Sequence, residues 1–181
     1  MRANSQLVLA SGSTYKRNLL KRLDLEFITD APDIDESAHS DEPPRQTARR
    51  LALQKAREVR RRRTQSANSD APDEWVVAAD QIIELDGHRL TKPGTHAKAV
   101  DQLETLAGRT HRLSTAVAVA PPSGDPAVRQ VDFEMTMRPL DRATLTDYVE
   151  TDDPTDCAGA YKIEQTGIRL FGSLSGDDYT A

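Results

Sequence analysis

The residues with a chemistry to offer are a few carboxylates, three lysines and one hydroxyl-rich stretch. In "LVLASGSTYKR", Ser11, Gly12, Ser13 and Thr14 separate an apolar run from a helix pattern carrying Lys16. The first turn of a helix presents unpaired N–H groups and a partial positive charge, which suits a phosphate. Ser or Thr at that point also serves as an ordinary N-cap, and the sequence leaves both readings open. Lys55 falls within the stripe Ala48, Leu51, Ala52, Ala56 and Val59, whose spacing is that of an inward helix face. A buried ammonium requires a counter-charge; the alternative is a lysine whose stem packs while its head escapes to water.

Asp80 breaks the apolar run "VVAADQII". A carboxylate there is costly unless it is paired, metal-bound or at a strand end, where α/β proteins place ligands; a turn-forming Asp at a strand terminus is the plainer reading. Lys92 sits in the loop "LTKPG", and "DIDES" places Asp33, Asp35 and Glu36 in an acidic loop that could simply be solvated. Together, carboxylates for a divalent cation and a base, with cations for oxyanions, are the parts phosphoryl chemistry uses. No serine–histidine–acid set stands out. His39, His88, His96 and His111 are scattered in polar contexts without metal-ligand spacing. Cys157 has no evident partner and reads as structural.

The elements that must position these groups alternate. "QLVLAS" and "EFITDAP" read as strands around a helix bearing Leu19, Leu20 and Leu23. A polar loop leads to the long helix "RQTARRLALQKAREVRRRR", whose arginine run reads as a solvated helix end. "QSANSDAPDE" is a loop, "WVVAADQIIELDG" a strong β stretch, and "HAKAVDQLETLAG" a helix closed by Gly108. Two consecutive strands, "RTHRLSTAVAVAPP" and "VRQVDFEMTMRPL", precede the short helix "DRATLTDYVET" and a glycine-punctuated end. Alternation predicts an α/β domain, and the consecutive strands predict a mixed rather than purely parallel sheet. Neither G-x-G-x-x-G nor the P-loop motif is present, which removes the standard dinucleotide and P-loop readings.

The length of 181 residues suits a single domain, and the net charge of −5 argues against a general nucleic-acid binder. A single cysteine fits a reducing compartment. No apolar run approaches a membrane span, so a soluble cytoplasmic protein without membrane or nucleic-acid partners is expected.

In order along the chain, these segments resemble motifs of the Maf (septum-formation-like) nucleoside triphosphate pyrophosphatases. "LASGSTYKR" is similar to the family's L-A-S-x-S-P-x-R opening, "APDIDES" to its acidic loop and "LALQKA" to its L-A-x-x-K-A helix. "AADQ" resembles its A-D-[TQ] strand end, "TKP" its K-P loop, and "TDDPTDCAGAYKIE" its D-x-P-x-[DK]-x-A-G-[AS]-[YF] segment. The resemblance implies one α/β domain over residues 1–181, an elongated mixed sheet flanked by helices with two lobes around a deep central cleft. It implies hydrolysis between the α- and β-phosphates of a nucleoside triphosphate, aided by a divalent cation, Mg or Mn. By resemblance Asp80 is the water-activating acid and a metal ligand with Glu36, while Ser13, Lys16, Lys55 and Lys92 handle phosphate. Tyr15, Gln81 and Glu164 match the specificity positions of the 7-methyl-GTP type; the dTTP/UTP type carries Arg, Thr and Gln. An aromatic ring suits a cationic 7-methylguanine, and a carboxylate accepts from guanine N1–H and N2–H, with the neighbouring Gln165 the lesser reader.

Two departures stand out: Thr14 replaces the usual Pro, and Lys16 the usual Arg, which loses the bidentate fork. The family usually continues beyond "GDDYTA" into a last helix, so that helix is expected to be missing. A homodimer is compatible with the sequence. The competing functions are a dTTP/UTP pyrophosphatase and a non-catalytic nucleotide-binding regulator of cell division.

Overall fold

A computed structural model of the chain describes residues 5–66 and 71–176. The N-terminal "MRAN", the centre of the "QSANSDAPDE" loop and the "DDYTA" terminus lie outside the described residues. Within them a mixed seven-stranded sheet has the order β2-β1-β3-β5-β6-β7, with β4 paired to β3. Four α-helices accompany it. The strands are β1 (Ser5–Leu9), β2 (Phe27–Thr29), β3 (Asp73–Leu85), β4 (His88–Leu90), β5 (Thr110–Ala120), β6 (Ala127–Met137) and β7 (Phe171–Ser175). The helices are α1 (Thr14–Lys21), α2 (Pro44–Ser66), α3 (His96–Leu106) and α4 (Arg142–Asp152). β1 runs parallel to β2 and β3, whereas the β3–β4 and β6–β7 pairs are antiparallel, as a mixed sheet requires.

The chain divides into two compact units, Met1–Gln81 with Thr115–Gln130 and Ile82–Ser114 with Val131–Ala181. In the first, α2 lays Ala48, Leu51, Ala52, Lys55, Ala56 and Val59 inward, all buried, alongside buried Val8, Leu9, Val76 and Ala78. The stripe read from the sequence is therefore the packed face. In the second, α3 and α4 supply Val100, Leu103, Leu106, Leu145 and Val149 to a cluster completed by Phe133, Met135, Met137 and Leu170.

Several local expectations need correction. α1 stops at Lys21 and buries none of its residues; Leu19 is 47% and Leu23 63% exposed, so the leucine spacing there does not mark a core face. The arginine run at the end of α2 is only partly solvated. Arg63 makes a two-pronged bond to Glu74, at 2.6 and 2.7 Å, and Arg62 meets Asp30 at 2.5 Å, tying the helix end to neighbouring segments. β4 was not visible as a strand. It forms because Asp86 and Gly87 both adopt positive φ, 51° and 79°, the pair of left-handed residues that closes a two-residue hairpin. β3 does not break at Asp80. Alternation continues through it, with Ala78, Asp80 and Ile82 all buried.

Candidate active site

β1 pairs with β3 from Asp73 to Val77, and β4 takes over at Ile83. Asp80 and Gln81 lie in the stretch of β3 between those two pairings. Asp80 points to the buried side, at 5% exposure, and α2 passes Lys55 to it. Lys55 Nζ donates to Asp80 Oδ1 at 2.6 Å and meets Glu36 Oε1 at 2.9 Å. The snorkelling alternative is thereby excluded. Burial pulls the Lys55 ammonium toward its neutral form, but the charges and hydrogen bonds of Asp80 and Glu36 outweigh this and hold its pKa above the ordinary lysine value. Asp80 Oδ2 is buried and has no hydrogen-bond partner. Such an orphaned acceptor is expensive unless a donor or cation occupies the space before it.

Glu36 reaches Lys55 from the acidic loop, and the loop is held by a residue the sequence reading passed over. Arg50 donates to Glu42 through Nε and Nη2, both at 2.7 Å, and to the Ser37 carbonyl at 2.9 Å. This clamp draws the Glu42 carboxyl down to about 2, chiefly through the Arg50 hydrogen bonds and against the cost of burial. Thr47 adds a further hydrogen bond to Glu42 at 2.9 Å. Nothing in the spacing of Arg50 distinguishes it from the other arginines of α2. Asp33 and Asp35 stay in the loop: the Asp33 N–H meets Glu58 and Asp35 accepts from the Ser37 N–H.

The hydroxyl-rich stretch is a helix cap. Ser13 is the N-cap of α1, accepting from the Lys16 N–H at 3.4 Å, and its own N–H donates to Ser11 Oγ. Gly12 has no positive φ, and a Cβ there would meet Ala31 only at 3.8 Å, so its backbone does not demand glycine. Lys16 Nζ donates to the Ala79 carbonyl at 2.6 Å, which brings a second ammonium beside Asp80 along β3. Tyr15, on the first turn of α1, is 39% exposed. Gln81 extends from β3 to donate to Thr115 Oγ1 at 3.0 Å. The first unit thus gathers Asp80, Lys55, Glu36 and Lys16, and carries Ser13, Tyr15 and Gln81 on the same elements.

Lys92 and Glu164 belong to the second unit. Lys92 is exposed in the loop after β4, just before buried Pro93, and the Gly94 N–H fixes that loop to the Thr155 carbonyl at 2.9 Å. Glu164 is exposed, in the turn that follows Lys162. Asp152, buried at the end of α4, accepts from the Thr166 hydroxyl at 2.7 Å and from its N–H at 3.1 Å. The Gly167 N–H closes on the Lys162 carbonyl, and a Cβ on Gly167 would come within 2.5 Å of that oxygen. Asp152 could have been found from the sequence: it follows Leu145 and Tyr148 at helical spacing, the same signal that marked Lys55.

His111 departs from the polar setting expected for the histidines. It is buried on β5, with Nε2 3.0 Å from the Tyr161 hydroxyl, which in turn reaches Met135 Sδ. Burial lowers its pKa to about 4. No group of three or more histidine, cysteine or acidic side chains suited to a metal ion occurs among the described residues. Cys157 forms no disulfide among the described residues, and its Sγ donates to Asp156 Oδ1 at 3.4 Å.

The fold has relatives. A HAM1 protein from Coxiella burnetii superposes with a TM-score of 0.50 at 19% identity, covering 75% of this chain and 74% of that one. The chain belongs to the Maf family, whose "Maf-like protein" model matches residues 6–181. Proteins named 7-methyl-GTP pyrophosphatase from Xanthomonas oryzae and Aromatoleum aromaticum are 41% and 43% identical to it. Those alignments cover 97% and 98% of this chain and 88% of each relative.

Proposed function

We infer that this chain is a nucleoside triphosphate pyrophosphatase that hydrolyses 7-methyl-GTP to 7-methyl-GMP and pyrophosphate. That activity keeps a modified nucleotide out of nucleic acids. The observation that carries the reading is the buried ammonium of Lys55 held between Asp80 and Glu36, in a chain over 40% identical to 7-methyl-GTP pyrophosphatases.

Asp80 is the general base. Its Oδ1 is fixed by Lys55, which sets the carboxylate plane, and its orphaned Oδ2 is the acceptor left for a water proton. Water attacks one phosphorus of the α–β bridge, its proton passes to Asp80, and the bridging P–O bond breaks to release 7-methyl-GMP and pyrophosphate. Lys16 and Lys55 supply positive charge where negative charge develops on the phosphate oxygens. The α1 N-terminus at Ser13 and the ammonium of Lys92 add to phosphate binding.

The donor set fits a hard divalent cation. One or two carboxylates completed by substrate phosphates are the usual protein share for Mg²⁺, which seldom has an all-protein cage. Glu36 and Asp80 would hold Mg²⁺ or Mn²⁺. Bound there, it would neutralise charge on the phosphate chain. Tyr15 stacks on the cationic base, and Glu164 accepts from the guanine edge, with Gln81 beside them in role. Among the described residues no helix is long and apolar enough to cross a membrane, and we place the enzyme in the cytoplasm, where its substrate is. The test is pyrophosphate release from a panel of nucleoside triphosphates with Mg²⁺, Mn²⁺ or chelator: release from 7-methyl-GTP that stops with chelator supports the whole reading.

A further inference from the structure

The arginine run divides into two halves with different partners. Arg62 and Arg63 are neutralised by Asp30 and Glu74. Arg57, Arg60 and Arg61 are not. Arg60 spends Nη1 on two carbonyls of the β5–β6 turn, Pro121 at 3.2 Å and Gly124 at 2.7 Å. Arg61 donates to the amide oxygen of Gln65 at 3.0 Å. Neither these two nor Arg57 forms an ion pair among the described residues.

Arg57, Arg60, Arg61 and Thr64 follow i, i+3, i+4, i+7 spacing, so they share one face of α2. They line a hollow of about 350 Å³ completed by Gln65, Pro122, Ser123 and Gly124, with no carboxylate in its wall. Glu58, the nearest acid on α2, is turned to Arg62 and the Asp33 N–H. Three like charges on adjacent turns repel one another. The end of α2 carries only about half a negative charge, too little to balance them. Lys55 lies on the buried face of the same helix, so this hollow is separate from the Asp80 site.

We propose that this face of α2 and the β5–β6 turn bind an oligophosphate anion, either free pyrophosphate or the phosphate chain of a nucleotide. Guanidinium forks match phosphate oxygens in pairs, and the hydroxyls of Thr64 and Ser123 add donors. Arg60 is already oriented by the two turn carbonyls. The proposal stands on this hollow alone and does not depend on the Asp80 chemistry. An adjoining hollow shares Arg57 and Arg61 and is lined besides by Ile34, Asp35, His39, Arg50, Gln54 and Glu58; a base would lie there if the anion were a nucleotide.

The test is an amide chemical-shift titration of the ¹⁵N-labelled full chain with pyrophosphate, and separately with GDP, at low salt. Saturable shifts at Gln65, Ser123 and Gly124 are expected with both. Additional shifts at Ile34 and His39 with GDP alone would identify the nucleotide as the source, and their absence the free oligophosphate. Arg57→Ala/Arg61→Ala, two exposed side chains, should raise the titration midpoint at those amides roughly tenfold or more. Arg57→Lys/Arg61→Lys should recover part of it, and 7-methyl-GTP turnover should be unchanged in both. Absence of saturable shifts at Ser123 and Gly124, or shifts that survive in the double alanine variant, would overturn the proposal.

Discussion

Lys55 Nζ and Asp80 Oδ1 are 2.6 Å apart, and both side chains are more than nine-tenths buried. A pair in that setting stabilises little over an apolar substitute, but breaking it strands a charge. Lys55→Met should therefore lower stability by about 3–5 kcal/mol, and Lys55→Met/Asp80→Asn should regain a large part of that loss. Urea midpoints of the two single variants and the double variant measure the coupling. Strictly additive single effects would show that the pair does not act as a unit.

Asp80→Asn keeps the shape of the side chain and removes the base. Turnover of the preferred substrate should fall by about 10²–10⁴, with nucleotide affinity changed far less. Single-turnover rates and equilibrium binding separate the two effects. A variant within threefold or so of wild-type turnover would take Asp80 out of the base role.

Arg50 acts on Glu36 through the loop, by holding Glu42 and the Ser37 carbonyl. Arg50→Ala should raise the half-saturating Mg²⁺ concentration roughly tenfold, the usual cost of losing a group that orients a ligand. Turnover at saturating Mg²⁺ should change little, and Arg50→Lys should recover only part, because lysine lacks the two-pronged fork. An unchanged Mg²⁺ dependence would separate Glu36 from metal binding.

His111 makes stability depend on pH. Its folded pKa is about 4 against an ordinary 6.5, so between those values the unfolded chain binds the proton and the folded chain does not. Stability should fall as the pH drops through that window, by about 3 kcal/mol at its acid end, and level off below. Unfolding free energies from pH 7 to pH 4 for wild type and His111→Asn should converge on the acid side if this is right. Parallel curves would mean the ring is not held neutral.

The sequence made the strongest features of the fold legible because they repeat. The apolar stripe of α2 exposed Lys55 as an anomaly, and the apolar run of β3 did the same for Asp80. What escaped was single and local. The Asp86–Gly87 hairpin turn was present in "LDGHRL" as a dipeptide that favours positive φ, but β4 is only three residues long. Arg50 looks like any other arginine of α2, and only its partners across the loop distinguish it. His111 lies among polar neighbours in sequence, yet alternation along β5 turns it inward beside Tyr161. The leucine spacing of α1 marked a helix, and Leu19 and Leu23 are nonetheless exposed: spacing shows that side chains share a face, not that anything covers it.

The base pocket tests the account most directly. Glu164 is held in its turn by Asp152 and Thr166, and is proposed to accept from guanine N1–H and N2–H. Glu164→Gln replaces two acceptors with an acceptor and a donor. The measurement is kcat/KM of wild type and Glu164→Gln for 7-methyl-GTP, GTP, dTTP and UTP. Wild type should prefer 7-methyl-GTP, and the variant should lose roughly ten- to a hundredfold on it, the cost of about 1.5–3 kcal/mol for a charged hydrogen-bond pair, while dTTP and UTP change little. A wild-type enzyme that prefers dTTP or UTP, or a variant whose ratio of 7-methyl-GTP to UTP activity is unmoved, would contradict it.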